Sequence, residues 1–268
     1  MNSFMKKHKP LITKLIFIVV FLSIWEYVSI GNKLGPKTEI ILPSLGAIGK
    51  AFVKNFVQGY AGQSLWIYIG NSMWILLVGL FIGILLAFVF SGLSIINETF
   101  RYIYDFMVSI FDLLPGIALL PVVIIIFGIR VEVIIFLVVH SVLWPMSRNI
   151  LDGFSSIPRI FIEAGKNINL RGLDLVLSIY LPAAATHIIS GLKSGWARAW
   201  RGLISAEMIF GIASSPGLGL YINQMRTNLN NAEMYATLLV IIIVGAFVQY
   251  GILQPIENHT IRKWGMVR

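Results

Sequence analysis

Charge and cysteine are the two scarce commodities of this 268-residue sequence. Charged residues make up only 12% of it, against roughly 25% in ordinary soluble domains. Most of the surface therefore has no need to face water. There is no cysteine at all, which excludes disulfides, thiolate nucleophiles and cysteine metal sites. Phosphate-cradling chemistry is missing too: Gly46-Ala47-Ile48-Gly49-Lys50-Ala51 lacks both the spacing of a Walker A loop and its final Ser/Thr. No G-x-S-x-G or H-E-x-x-H pattern occurs, so hydrolysis inside a membrane lacks its usual parts. Metal and haem ligation have no support. We see no long low-complexity tract, no separate soluble domain and no internal repeat.

What the chain has instead is apolar length. Hydrophobic residues are 57% of it, and mean hydropathy is +0.83. A bilayer crossing needs about 20 mostly apolar residues. Six segments qualify: Leu11–Ile30, Trp66–Phe90, about Tyr102–Ile129, Val131–Met146, Ala183–Ile209 and Tyr235–Pro255. The expected fold is an all-α integral membrane protein with about six transmembrane helices. The first segment follows Lys6, Lys7, Lys9 and Lys14 as a signal peptide would, but Trp25-Glu26-Tyr27 is a poor cleavage site, so it reads as a retained anchor helix.

The net charge of +9 does not point to nucleic acid, because the basic residues flank apolar segments and form no stripe. They report topology. With the N-terminus inside, twelve of the 21 Lys and Arg residues fall on the cytoplasmic side, six outside and three within the fifth segment. Both termini are expected in the cytoplasm, and an even number of spans agrees. Residues 1–60 then hold the anchor helix and an external loop, in which Ser44 caps a short amphipathic helix reaching Phe56. Residues 61–256 form the transmembrane core, and 257–268 a cytoplasmic tail.

One cytoplasmic stretch, 149–182, is too polar to span and too patterned to be plain linker. Pro158 opens a helix at its first turn. Glu163 favours the positive end of that helix, and Ala164 with Gly165 leaves one side nearly bare for close approach. Asn169 tolerates the left-handed conformation that stops a helix. Gly172 offers a second break before Leu173-Asp174-Leu175-Val176-Leu177 starts again, and Leu181-Pro182 leads into the fifth span. On physics alone this is a helix-turn-helix lying at the membrane surface, either a docking site or an amphipathic segment resting on headgroups.

Glu163-Ala164, the turn six residues on, Ile179 and Leu181-Pro182 resemble the EAA loop of ABC-importer permeases. Gly165 stands where the family has a second Ala, and Asn169 where it has Gly. Leu42-Pro43-Ser44, Phe127-Gly128-Ile129, Gly191-Leu192-Lys193, Arg198-Ala199-Trp200, Ala206-Glu207-Met208, Gly217-Leu218-Gly219 and Glu257 with Arg262-Lys263-Trp264 resemble the nitrate/sulfonate/taurine branch. The resemblance implies a type I importer permease fold, with Glu163, Ala164, Gly165, Asn169 and Gly172 in coupling helices that dock on a cytoplasmic ATPase. It further implies two ATPase subunits that bind the ATP, a second permease copy, most simply an identical one, and an external solute-binding protein. The chain itself would need no cofactor and would not be an enzyme. An ion-coupled secondary transporter is the alternative, disfavoured by the scarcity of intramembrane carboxylates.

Lys193, Arg198, Arg201 and Glu207 lie within the fifth segment, where charge is expensive enough to suggest function. Arg198 and Arg201, three apart, share a face. Either they line a translocation path that attracts an anion, or they pair structurally with Glu26, Asp105 or Asp112, or snorkel outward. Pro115, Gly116 and Pro121 interrupt the third segment and are expected to kink it, either as part of a gate, with Pro115 at the path, or as a packing feature. His140, alone in its span, reads as a hydrogen-bonded core residue more readily than as a proton relay.

Overall fold

The computed structural model describes residues 3–31, 41–59, 62–212 and 214–260. Lys33, Lys37, Arg262, Lys263, Trp264 and Arg268, to which topology or resemblance was assigned, lie outside them, as do the side chains of Lys6 and Lys7. The described chain is helical nearly throughout. Four helices are long and apolar enough to cross a membrane, and six spans result if each of two sharply bent helix pairs counts as one. The chain divides into two units, residues 1–66 with 221–240, and residues 67–220 with 241–268.

In the first unit, α1 (Ser3–Ile30) starts with a lysine-rich turn, and its stretch from Leu11 to Leu22, apolar but for Thr13 and Lys14, is exposed all round. A helix of that kind has lipid as its natural surrounding. Its C-terminal end is tied down by polar atoms: Trp25 Nε1 donates to the Pro43 carbonyl at 3.0 Å, and Glu26 accepts from the Leu45 amide at 2.8 Å. The amphipathic helix expected after Ser44 is α2 (Leu45–Val57), and the Ser44 hydroxyl caps it through the Ala47 amide. Ile48 and Ala51 bury against Ala236 under Trp25 and Tyr235. Asn55, fully buried, donates to Thr237 Oγ1 and the Glu233 carbonyl and accepts from Tyr221.

The second unit contains most of α3 (Leu65–Ile96), then α4 (Glu98–Phe111), α5 (Gly116–Phe127), α6 (Val131–Ser155), α7 (Arg159–Asn167), α8 (Gly172–Ala183) and α9 (Ala185–Ile209). Two further helices, α10 (Leu218–Thr227) and α11 (Asn231–His259), each run through both units. Small residues let the spans of the second unit touch. A Cβ on Gly79 or Gly83 of α3 would come within 2.4 Å of Val138 Cγ1 or 2.9 Å of Val142 Cβ on α6. On α9, a Cβ on Gly191 would meet Asn149 and Met146 at 2.9 Å. Between helices already apolar, such close backbone approach takes over the role that hydrophobic burial plays in water. The core on α6 collects Trp144, Met146, Ile150 and Phe154 with Tyr104, Val108 and Ala184.

Two expectations need correcting. The third segment is no kinked helix: α4 and α5 meet at 92°. The break falls at Asp112–Pro115, with Pro115 extended (φ −61, ψ 124) and Gly116–Leu119 forming a 3₁₀ turn. Pro121 kinks nothing, because it sits in the first turn of the α-helix that follows, where its missing N–H is no loss. The fourth segment does not stop at Met146; α6 continues to Ser155. Its polar residues there have inward partners. The Ser147 hydroxyl and the Tyr104 phenol are 2.5 Å apart, and Asn149 donates to the Pro145 carbonyl. Stretch 149–182 thus begins inside a span and becomes a surface hairpin only after it.

Candidate functional site

The surface hairpin is α7 and α8. Pro158 precedes α7 with φ −59 and ψ 133, and Asn169 ends it at φ +65. The Leu170 amide donates to the Gly165 carbonyl and the Asn169 amide to that of Lys166. These are the two bonds of a Schellman turn, with Asn in the position usually given to Gly. Gly172, at φ +52, opens α8. Gly165 is buried, and a Cβ there would lie 3.0–3.1 Å from Ile179 Cγ1 and Leu175 Cδ1. Its bareness thus serves side chains of α8. Glu163, Ala164, Asn169 and Gly172 are exposed. So is an apolar set, Ile160, Phe161, Ile168, Leu173 and Leu177. For helices this short, that is unusual surface. The hairpin joins α9 at Ala184 with a 76° bend, and Ala184 is fully buried.

The other cluster is an open cavity of about 470 Å³ lined by the α4–α5 break, α6 and α9. Arg198, Arg201 and Pro115 all line it, as do Asp112, His140 and Trp144. Of the three acids named as partners for Arg198, the structure selects Asp112: Arg198 Nη1 lies 2.6 Å from its Oδ1 and 3.3 Å from its carbonyl oxygen. Asp105 is turned toward Arg101 (3.7 Å), and Glu26 caps the Leu45 amide. Lys193 pairs with Glu257 at 2.7 Å. Arg201 has no ionic or hydrogen-bond partner among the described residues. His140 is the buried core residue expected, but among the described residues neither ring nitrogen has a hydrogen-bond partner, and Trp144 Nε1 has none either.

Sequence reasoning missed what Glu207 does. Its side chain is 1% exposed. The Ser72 hydroxyl of α3 lies 2.8 and 2.9 Å from its two carboxyl oxygens, and the Gly219 amide donates to Oε2 at 2.9 Å. Ser72 in turn accepts from the Leu218 amide, and Asn71 donates to the Pro216 carbonyl. A Cβ on Gly217 would strike Glu207 Oε1 at 2.1 Å. The motifs Ala206-Glu207-Met208 and Gly217-Leu218-Gly219, quoted separately above, are two halves of one clasp.

Exposed hairpin, close-packed spans and a charged cavity at a broken helix define a membrane transport subunit. Residues 79–256 match the binding-protein-dependent transport system inner membrane component family, and the chain belongs to it as a permease subunit of an ABC-type importer. It is 24% identical over 235 residues to the taurine transport system permease protein TauC of Escherichia coli, covering 88% of this chain and 84% of that one. To the putative aliphatic sulfonates transport permease protein SsuC of the same organism it is 27% identical over 227 residues, covering 85% and 82%. The nitrate import permease protein NrtB of Synechocystis sp. is 25% identical over 233 residues, with coverage of 85% and 82%.

Proposed function

We propose that the chain carries a small solute inward, an anion of the nitrate, sulfonate or taurine type or a vitamin precursor. Two separate ATPase subunits bind the ATP and supply the energy, an external binding protein delivers the solute, and a second copy of this chain completes the pathway. Both termini lie in the cytoplasm. The hairpin is the coupling element, with Glu163, Ala164 and Asn169 facing the ATPase, and Gly165 and Gly172 setting the hairpin's shape. Arg198, Arg201 and Pro115 line the path. The observation that carries this reading is the exposed apolar face of α7 and α8, presented by a Schellman-turned hairpin on a chain of this family.

Reconstitution with the ATPase and binding protein tests it, by comparing uptake driven by ATP with uptake driven by a proton gradient. ATP-dependent uptake is expected, and uptake without any ATPase would refute the reading. Glu163→Lys should abolish ATP-driven uptake or assembly while membrane insertion is unchanged. Arg201→Gln should alter transport selectivity; unaltered uptake kinetics would remove Arg201 from the path.

A further inference from the structure

Two arginines on one face of α9 suggest a doubly positive cavity, but the geometry does not offer two charges to a solute. Arg198 is occupied: its guanidinium holds both the carboxylate and the carbonyl oxygen of Asp112, the residue at which α4 ends. Arg201, one turn further on, lines the same cavity with no partner among the described residues. The remaining lining carries no Lys, Arg, Asp or Glu. Trp144 Nε1 and both ring nitrogens of His140, unpaired among the described residues, are buried away from the open space.

We propose that Asp112, Arg198 and Arg201 form a charge filter. Asp112 cancels Arg198 and leaves Arg201 as the single positive charge met by the solute, so that the cavity accepts monovalent oxyanions and rejects divalent ones. The proposal rests on the reading that these residues line the solute path. A monovalent head group is neutralised by Arg201. A dianion brings a second negative charge beside the Asp112 carboxylate, and the lining holds no further free cation to meet it. Asp112 is thereby a specificity-determining residue that need not touch the solute.

Methanesulfonate and inorganic sulfate share a tetrahedral sulfur–oxygen head and differ by one charge. Equilibrium binding of each in radiolabelled form to the purified full chain in detergent reads the filter directly. The unaltered chain should prefer methanesulfonate by about tenfold or more, the least that placing like charges side by side costs. Arg201→Gln should lose both ligands. Asp112→Asn frees Arg198 and should turn the preference toward sulfate. Arg198→Gln leaves Asp112 unopposed and should abolish anion binding, whereas Asp112→Asn with Arg198→Gln restores the net charge and should recover methanesulfonate binding. The double variant carries the test if either single variant fails to fold. Equal binding of the two ligands, binding of neither, an unchanged preference in Asp112→Asn, or no recovery in the double variant overturns the filter. None of these measurements uses an ATPase, so a failure of ATP-driven import and a failure of the filter remain separate results.

Discussion

Glu207→Ala removes the centre of the clasp among α3, α9 and the start of α10, and its cost can be worked from the contacts. The Gly219 amide and the Ser72 hydroxyl, both buried, each lose their acceptor. An orphaned buried donor costs about 1–3 kcal/mol. Truncation to Ala also leaves a void, while losing the desolvation penalty of a buried carboxyl offsets part of the sum. A net loss of about 2–4 kcal/mol follows from these terms. For a chain of this size one kcal/mol moves the melting temperature by about 2–4 °C, so Glu207→Ala should melt roughly 5–15 °C below the unaltered protein. Ser72→Ala also strands a donor, the Leu218 amide, and should cost about 1–3 kcal/mol. Because the two residues share one network, their effects should fall short of additivity by about 1 kcal/mol in the double variant. The assay is thermal unfolding in detergent, followed by tryptophan fluorescence at one fixed scan rate, since unfolding of such proteins is commonly irreversible. A Glu207→Ala melt within about 2 °C of the original, or strict additivity with Ser72→Ala, would show that the clasp does not hold these elements together.

Three further outcomes are expected. Asn169→Gly should be tolerated, whereas Asn169→Val forces a branched residue into the left-handed region at about 1–2 kcal/mol and should speed hydrogen exchange at the Leu170 amide about tenfold. Gly83→Val places carbon against Val142 Cβ and the Val139 carbonyl; overpacking of about 1–3 kcal/mol should lower the melting temperature. Leu229 sits exposed at φ +58 in the turn after α10, so Leu229→Gly should relieve strain of about 1 kcal/mol and raise the melting temperature by a few degrees.

The spans were legible because a bilayer dictates apolar length, and length is read directly from residues. The hairpin was legible because Pro158, Asn169 and Gly172 each impose a backbone requirement where they stand. Hydropathy measures preference for lipid, however, and not helicity. It therefore ended the fourth segment at Met146, although Ser147 and Asn149 continue the helix by turning to protein partners. Proline spacing announced an interruption near residue 115 but not a 92° turn. The choice of Asp112 for Arg198 depends on bringing together residues 86 apart, and the Glu207–Ser72 contact on residues 135 apart. No local pattern encodes such distances. The signal present for Glu207 was its cost: a carboxyl in an apolar span demands donors, and Gly217-Leu218-Gly219 offered backbone amides with no side chains in the way.

Helix α9 connects all of these features. It begins at the buried elbow of Ala184, carries Arg198 and Arg201 past the cavity, and ends two residues after Glu207. Its 25 residues extend about 37 Å at 1.5 Å per residue, enough to cross the hydrocarbon core. Along α6 the glycines at 191 and 195 bring the two backbones close, and packed helices shift between discrete arrangements more readily than they deform. On the proposed coupling role, a displacement of α7 and α8 therefore has one stiff element through which to act. The same movement that the hairpin receives must alter the contact between Arg198 and Asp112, because Asp112 lies on the α4–α5 break and not on α9. It must also load the Glu207 clasp, whose other members stand on α3 and at the start of α10. Lys193, Arg198 and Glu207 are then spaced along one helix, each gripping a different neighbour, and Arg201 is the charge there without a partner among the described residues.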